Sequence, residues 1–288
     1  VQDKLVSDTQ KLLESGNASD ALATAATAWL EARTDATTSR TAALAFADEL
    51  EKSDDAVAKE ILANKSFLTK KSFWIFGGDG WAYDIGFGGL DHVLASGNNV
   101  NVFVFDTEVY SNTGGQASKA SNLGQVAQFA AAGKVTKKKS LAEIAMSYGS
   151  IYVAQVAMGA NPMQTLRAIN EAEAFDGPSL IIGYSPCEMH SIKKGGMQNC
   201  QPEMKKAVEC GYWNLFRFNP AAPKGKKFTL DSKEPTGGYQ DFLMNEARYA
   251  SLTRAFPERA KDLFVENEEA AMDRYAHLKK LVTLYNEE

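Results

Sequence analysis

A short apolar run, a glycine-rich turn and a helical segment follow one another directly between residues 73 and 96. The run at 73–76 reads Phe-Trp-Ile-Phe, and the turn at 77–80 reads Gly-Gly-Asp-Gly. A short strand that is apolar throughout is typical of a parallel sheet with helices on both faces. This unit therefore predicts an α/β fold with a polar turn at the carboxyl end of a strand, where open α/β sheets bind ligands.

The same alternation of strands and helices continues along the chain. Further strands are predicted at residues 100–105, 151–158, 179–183 and 213–218, with an edge strand at 228–230. Helices are predicted at 81–96, 141–148, from 161, from 202 to 210, at 243–255 and at 258–285. Within the first of these helices we expect Ile85 to face the core. Alternating elements predict a three-layer α/β/α domain with a mainly parallel sheet.

Residues 1–66 differ from the rest because they contain no proline and are rich in Ala, Glu, Lys and Leu. Apolar residues recur at helical spacing in 22–33 and 42–50, which predicts two or three helices. No residue in this segment belongs to a recognisable chemical motif. We therefore predict two domains, a helical appendage at 1–66 and an α/β domain with C-terminal helices at 67–288.

Composition excludes several classes of function. A net charge of −5 and a pI near 5.4 argue against a nucleic-acid partner. No run approaches the ~18 apolar residues of a membrane span, and residues 1–20 do not read as a signal peptide. Three cysteines without a CxxC pair favour a reducing, cytoplasmic location. Because the sequence begins with Val1, we expect a processed protein or a piece of a longer one.

An acidic residue in a phosphate-binding turn needs an explanation, because a carboxylate repels phosphate. Glycines let backbone N–H groups approach a phosphate, and the start of a helix adds partial positive charge. Asp79 fits such a turn if Mg²⁺ bridges its carboxylate to diphosphate oxygens. Thr107 follows Asp79 by 28 positions, comes directly after the second strand, and adds a hydroxyl oxygen at the same sheet edge. A polar turn without any ligand is the alternative.

Longer stretches around these residues carry a family resemblance. They are Gly-Gly-Asp-Gly-Trp-Ala-Tyr-Asp-Ile-Gly at 77–86, Ser-Asn-Thr-Gly-Gly-Gln at 111–116 and Tyr-Ser-Pro-Cys at 184–187, with further likeness at 211–220, 230–233 and 246–249. In this order they resemble the C-terminal thiamine diphosphate-binding part of the pyruvate:ferredoxin (flavodoxin) oxidoreductases. The resemblance covers roughly residues 70–260. Thr107 stands where the wider thiamine motif has Asn, and these oxidoreductases also have Thr there.

The resemblance implies the thiamine diphosphate-binding fold and a set of site residues. The implied Mg²⁺ ligands are the side chains of Asp79 and Thr107 and the carbonyl group of Val109. The implied cofactor-binding residues are Gly78, Asp79, Gly80, Trp81, Thr107 and Asn112. Among them Asn112 reaches the reacting end of the cofactor and is the predicted catalytic residue.

Cys187 has two interpretations. From the sequence alone, a cysteine after Ser-Pro at the end of a strand is a small buried residue. The resemblance instead implies that Cys187 is one ligand of a [4Fe–4S] cluster, which needs four thiolates. Cys200 and Cys210 do not match the other ligands, which are expected before Val1. We expect His190 to be an exposed or hydrogen-bonding loop residue and not a ligand.

The implied activity is the oxidative decarboxylation of pyruvate to acetyl-CoA and CO₂, with electrons passing through [4Fe–4S] clusters to ferredoxin or flavodoxin. The implied partners are the remaining domains of the same enzyme, including the one with the activating carboxylate, and a second copy in a homodimer. The chain alone is therefore expected to be inactive. A non-redox thiamine diphosphate decarboxylase and a phosphate-binding α/β module are the alternatives. We expect the lysines at 137–139 and 193–194 to lie in solvated turns.

Overall fold

The computed structural model describes residues 1–193 and 195–287, and the chain divides into two compact units, Val1–Ser72 and Phe73–Glu288. The helices of the first unit are α1 (Gln2–Glu14), α2 (Asp20–Ala32), α3 (Ser39–Leu50) and α4 (Ala56–Ala63). In their core Trp29 stacks on Phe46 and donates a 2.8 Å hydrogen bond to the carbonyl oxygen of Leu68. Since Leu68 belongs to this core, the compact unit extends past residue 66, and the domain boundary at 66/67 stays a prediction.

The second unit is built on a sheet of six strands with the order β1-β2-β4-β3-β5-β6. The strands are β1 (Trp74–Gly78), β2 (Asn101–Asp106), β3 (Tyr152–Val156), β4 (Ser179–Tyr184), β5 (Phe216–Phe218) and β6 (Phe228–Leu230). Strands β1 to β4 are parallel to one another, whereas β5 and β6 join in antiparallel pairing. Strand β5 begins three residues later than predicted, because Trp213 instead donates its indole N–H to the Val156 carbonyl oxygen at 3.1 Å.

Helices lie on both faces of this sheet, which confirms the predicted three-layer α/β/α class. They are α5 (Phe87–Ala95), α6 (Leu141–Met146), α7 (Pro162–Ala174), α8 (Cys200–Glu209), α9 (Tyr239–Asn245), α10 (Ala247–Ala255) and α11 (Pro257–Glu287). One face holds the main core, and α7 packs on the other face against β3 and β4. No helix in the described part of the chain combines the length and apolar character needed to cross a bilayer.

Two details near the predicted site differ from the expectation. The described residues leave one face of β1 and β2 partly bare, so Phe76 is 61% exposed and Phe105 is 43% exposed. The helix after Asp79 begins with a wide π turn over Gly80–Ile85, in which the Gly86 N–H donates to the Trp81 carbonyl oxygen. Because a π turn takes in an extra residue, it changes the face on which later side chains lie. Ile85 is 83% exposed, so its predicted core position is wrong.

Candidate functional site

Three oxygen atoms converge where β1 and β2 end side by side. Asp79 follows β1, and Thr107 follows β2, which pairs with β1 in parallel register. Asp79 is only 1% exposed. Its Oδ1 lies 2.7 Å from Thr107 Oγ1, which in turn lies 2.9 Å from the carbonyl oxygen of Val109. The structure thus brings together all three oxygens that the sequence singled out as magnesium ligands.

The spacing of these oxygens matches the coordination shell of a small cation. A hydroxyl group has one proton, so Thr107 donates to only one of its two oxygen neighbours. Octahedral Mg²⁺ with bonds of about 2.0–2.1 Å places adjacent ligand oxygens about 2.9 Å apart. Among the residues that the structure describes, no three His, Cys, Asp or Glu side chains form a metal-binding group. This set, with one carboxylate, one hydroxyl and one carbonyl, is of another kind and consists of the oxygen donors that hard cations take, so the predicted Mg²⁺ ligation stays a prediction.

The carboxylate of Asp79 is held by neighbours on both of its oxygens. Ser118 Oγ donates to Oδ2 at 2.7 Å, and the Thr107 backbone N–H donates to Oδ1 at 3.2 Å. Burial raises the pKa of Asp79, while these hydrogen bonds and the charge of Lys138 oppose the rise. A buried carboxylate favours its charged form when a cation is near. The environment of Asp79 is therefore suited to binding a metal ion.

The glycines of the turn serve different purposes. A Cβ atom added at Gly78 would have no neighbour closer than the Phe105 carbonyl oxygen at 4.0 Å, so the backbone there is open to a ligand. A Cβ at Gly80 would lie 2.5 Å from the ring of Tyr110, and one at Gly77 would lie 2.2 Å from the ring of Trp81. Packing therefore accounts for Gly77 and Gly80, whereas the backbone at Gly78 is unobstructed and its predicted contact with a diphosphate stays a prediction.

Asn112 lies on an exposed loop beside the one that follows β4. It belongs to a short 3-10 turn, Ser111–Thr113, and is solvent-exposed. Gly115 comes next in this loop with φ of +82°, and a Cβ there would lie 2.3 Å from Met189 Cε. The Asn112 loop therefore packs on the loop that carries Cys187. The roles of Asn112 and of half-buried Trp81 stay predictions.

Cys187 is a free, half-buried thiol that follows β4, and burial raises its pKa. His190 is fully buried, and its Nδ1 accepts a 3.0 Å hydrogen bond from the Cys187 N–H. Of the two expectations for His190, hydrogen bonding is correct and exposure is wrong. Burial, together with the charge of Arg248, lowers the pKa of His190, so its ring is neutral. Cys187 offers one thiol, and its role as a cluster ligand stays a prediction.

A buried charge network around Asp106 and Glu108 was missed from the sequence. Thr107 contacts Asp79 and the Val109 carbonyl oxygen, whereas the side chains of Asp106 and Glu108, which alternate with these residues along the chain, contact other partners. Lys138 Nζ lies 2.8 Å from Asp106 Oδ2 and 3.0 Å from Glu108 Oε1, and its side chain is only 13% exposed. The prediction of a solvated turn is therefore wrong for Lys138. Its partners lie outside the lysine run, so the run alone carries no signal of burial.

The second cation of this network is Arg248, which is also buried. Its Nη1 lies 2.8 Å from Glu108 Oε2, and its Nε lies 2.6 Å from Glu246 Oε2. Burial by itself would raise the pKa of Glu108, but the charges of Lys138 and Arg248 outweigh burial and lower it to about 2. Glu246 contacts Arg248 alone among these cations, and burial raises its pKa to about 7. Of the basic residues considered from the sequence, Lys194 lies outside the described residues.

Comparison with known proteins identifies related sequences. Residues 56–182 match the family described as "Thiamine pyrophosphate enzyme, C-terminal TPP binding domain", a range that includes Asp79, Thr107 and Asn112 but not Cys187. The pyruvate:ferredoxin oxidoreductase of Moorella thermoacetica is 53% identical over 97% of this chain and 24% of its own length. The pyruvate-flavodoxin oxidoreductase of Klebsiella pneumoniae is 52% identical over 91% of this chain and 23% of its own length.

A third relative has a different acceptor in its name. The mitochondrial pyruvate dehydrogenase [NADP(+)] of Euglena gracilis is 49% identical over 79% of this chain and 13% of its own length. The chain therefore spans about a quarter or less of the length of these curated relatives.

Proposed function

We propose that this chain, whose residues 56–182 match the C-terminal TPP-binding domain of the thiamine pyrophosphate enzymes, holds thiamine diphosphate and Mg²⁺ for the oxidation of pyruvate. In the proposed reaction pyruvate and coenzyme A become acetyl-CoA, CO₂ and a proton. Two electrons leave through [4Fe–4S] clusters and reduce ferredoxin or flavodoxin. The enzyme names of the relatives at 52–53% identity support this choice of substrate and acceptors.

One observation carries the proposal: Thr107 Oγ1 lies 2.7 Å from Asp79 Oδ1 and 2.9 Å from the Val109 carbonyl oxygen. In the proposed complex these three oxygen atoms bind Mg²⁺, and the open backbone at Gly78 lies along the diphosphate. Bound thiamine diphosphate supplies the electron sink that a 2-oxoacid needs to lose its carboxylate.

The remaining site residues have separate tasks in the proposal. Gly80 and Trp81 shape the turn that receives the diphosphate. Gly80 leaves room for the Tyr110 ring, and the Trp81 ring fills the space beside Gly77. Asn112 presents an amide from an exposed loop, where it can hydrogen-bond to cofactor or substrate. Cys187 gives one thiolate to a [4Fe–4S] cluster, with the other ligands coming from elsewhere in the enzyme.

The electron acceptor is chosen outside this chain in our proposal. Relatives that are about equally similar here carry the names of three acceptors, namely ferredoxin, flavodoxin and NADP(+). A shared thiamine-binding part does not explain that difference. We also assign the remaining domains of the same enzyme and a second copy of the chain as partners, and a cytoplasmic location.

A binding titration tests the cofactor assignment. Thiamine diphosphate is titrated into the purified protein with Mg²⁺ or with EDTA, for the parent, Asp79→Ala and Asp241→Ala, the last of which changes an exposed aspartate of α9. We expect Mg²⁺-dependent binding in the parent and the control, and at least ~100-fold weaker binding in Asp79→Ala, since a metal ligand is lost. Unchanged Mg²⁺ dependence in Asp79→Ala would show the ligand assignment to be wrong.

An anaerobic dye assay then tests the reaction. The assembled enzyme is mixed with pyruvate, coenzyme A and a low-potential dye. Dye reduction should require both substrates and should be absent in Asp79→Ala. No reduction by a parent enzyme with its cofactor and clusters in place would contradict the oxidation of pyruvate. It would favour another 2-oxoacid, a non-redox decarboxylase or a binding module.

A further inference from the structure

Glu108 has an unusual backbone conformation, at a position between two of the proposed metal ligands. It lies between Thr107 and Val109, which the proposed function assigns to Mg²⁺, and its φ is +59°. A residue with a side chain rarely adopts this left-handed conformation, and it persists only where the surroundings fix it. What holds Glu108 in place therefore also determines how its two neighbours are placed.

The carboxylate of Glu108 is anchored on both oxygens inside the protein. Lys138 Nζ lies 3.0 Å from Oε1, and Asn122 Nδ2 donates to the same oxygen at 3.4 Å. Arg248 Nη1 lies 2.8 Å from Oε2, which also accepts the hydroxyl proton of Tyr212. Two cations and two neutral donors thus fix a side chain that is 0% exposed.

The backbone of Glu108 is fixed as well. Its N–H donates to Asp106 Oδ1 at 3.1 Å, and its carbonyl oxygen accepts from Gln125 Nε2 at 3.1 Å and from Ser121 Oγ. Backbone and side chain are thus restrained together, and rotation away from the left-handed conformation would break several of these contacts at once.

This conformation brings the two proposed ligands together. If β2 continued as an extended strand, each residue would advance the chain by about 3.3 Å, and Val109 would lie about 6.6 Å beyond Thr107. In the structure the chain bends at Glu108, and the Val109 carbonyl oxygen lies 2.9 Å from Thr107 Oγ1. The bend therefore brings both oxygens within reach of one cation.

We propose that Glu108 is the positioning residue of the proposed metal site: its buried carboxylate, anchored by Lys138 and Arg248, holds the bend that aims Thr107 Oγ1 and the Val109 carbonyl oxygen at one point. The inference rests on the proposed function of this site. It adds a residue that contacts neither cofactor nor metal and acts through its two neighbours. It also explains why two cations are buried behind a site whose own ligand is a carboxylate.

The test measures metal affinity and not only activity. The purified, assembled protein is titrated with Mn²⁺ in the presence of thiamine diphosphate, and free Mn²⁺ is followed by electron paramagnetic resonance. Glu108→Gln keeps the shape of the side chain and removes its charge. We expect its Mn²⁺ dissociation constant to rise about 10- to 100-fold, which is typical when a group that orients a metal ligand is lost. High Mn²⁺ should restore thiamine diphosphate binding.

Glu171→Gln is a matched control. Like Glu108, Glu171 contacts an arginine, Arg217, and accepts a tyrosine hydroxyl proton, from Tyr152 at 2.9 Å. It lies on α7, far along the chain from residues 106–109. We expect Mn²⁺ affinity within about twofold of the parent, even where the midpoint of thermal unfolding falls.

Each outcome decides between the inference and the proposed function. If Glu108→Gln binds Mn²⁺ within about twofold of the parent, Glu108 is not a positioning residue. If Glu108→Gln fails to fold, Tyr212→Phe takes its place, because it removes one donor to the carboxylate, and the same twofold criterion applies. If the parent shows no Mn²⁺-dependent binding of thiamine diphosphate, the proposed function itself fails.

Discussion

The loops after two neighbouring strands, β2 and β4, differ in how many of the proposed ligands this chain provides. The loop after β2, here called the oxygen loop (Asp106–Val109), places two ligand oxygens beside Asp79 and is anchored by buried cations. The loop after β4, here called the thiol loop (Cys187–Ile192), offers one thiol whose pKa is raised by burial. The three oxygens proposed to bind Mg²⁺ thus all come from this chain, whereas a cluster at the thiol loop would need ligands from elsewhere.

The two loops are nevertheless joined through one short segment. Arg248 contacts Glu108 of the oxygen loop, as described above. Two residues earlier, Glu246 pairs with Ile192 of the thiol loop, and the Ala247 N–H donates to the Ser191 carbonyl oxygen at 3.0 Å. The comparison therefore raises a question that variants can answer, namely whether the loops function separately despite this shared support.

The largest effect is expected for Cys187→Ser. A [4Fe–4S] cluster that loses one thiolate ligand is not held properly, so one cluster signal should disappear from the electron paramagnetic resonance spectrum of the reduced enzyme. Dye reduction with pyruvate should fall at least ~100-fold. Mg²⁺-dependent binding of thiamine diphosphate should stay within about twofold, because the oxygens of the metal site come from other residues.

Cys200→Ser is the control for that experiment. Cys200 is also a half-buried free thiol, but it begins α8, outside the thiol loop. Its variant should keep all cluster signals and the activity. A full set of signals in Cys187→Ser would remove the cluster role from the thiol loop. A combined loss of cluster and thiamine diphosphate binding would show that the two loops depend on each other.

The residues of this comparison also show what the sequence alone can predict. Strands β1 and β2 are short apolar runs and were found from composition, and the family motifs indicated Asp79, Thr107, Val109 and Cys187. Lys138 was missed because three consecutive lysines are typical of a solvated turn, while its partner Glu108 lies 30 residues away in the chain. A local pattern does not encode such distant pairing, nor the π turn that exposes Ile85.

A smaller effect should separate two glycines at the same turn. Gly80→Ala places a Cβ 2.5 Å from the Tyr110 ring, and we expect it to lower the free energy of unfolding by about 1–3 kcal/mol. In Gly78→Ala the nearest neighbour of the new Cβ is the Phe105 carbonyl oxygen at 4.0 Å, an ordinary contact, so stability should hardly change. The same Cβ would lie where the proposal puts the diphosphate, and thiamine diphosphate should bind about 10-fold more weakly, roughly the effect of 1.4 kcal/mol.

Denaturant unfolding without cofactor and a thiamine diphosphate titration measure the two quantities for both variants. We expect Gly80→Ala to lose stability and Gly78→Ala to lose affinity for thiamine diphosphate. If Gly78→Ala binds the cofactor like the parent, the diphosphate does not lie along this backbone. Neither variant should change the cluster signals, because both residues lie beside the oxygen loop and not the thiol loop.

The smallest effect should come from Ser118→Ala, which tests the oxygen loop through a single hydrogen bond. Ser118 Oγ donates to Asp79 Oδ2 at 2.7 Å, the oxygen opposite the one near Thr107. A hydrogen bond to a carboxylate contributes about 1.5–3 kcal/mol. Because Asp79 keeps its other hydrogen bonds in the variant, only part of this should reach metal affinity, and we expect Mn²⁺ to bind about fivefold more weakly, roughly the effect of 1 kcal/mol. Mn²⁺ titration measures this, with Ser140→Ala as the control, because Ser140 donates to Glu143 on α6 instead. If Ser118→Ala matches that control, the hydrogen bond on Oδ2 does not influence metal affinity, and the support of the proposed metal site is confined to the side of Glu108.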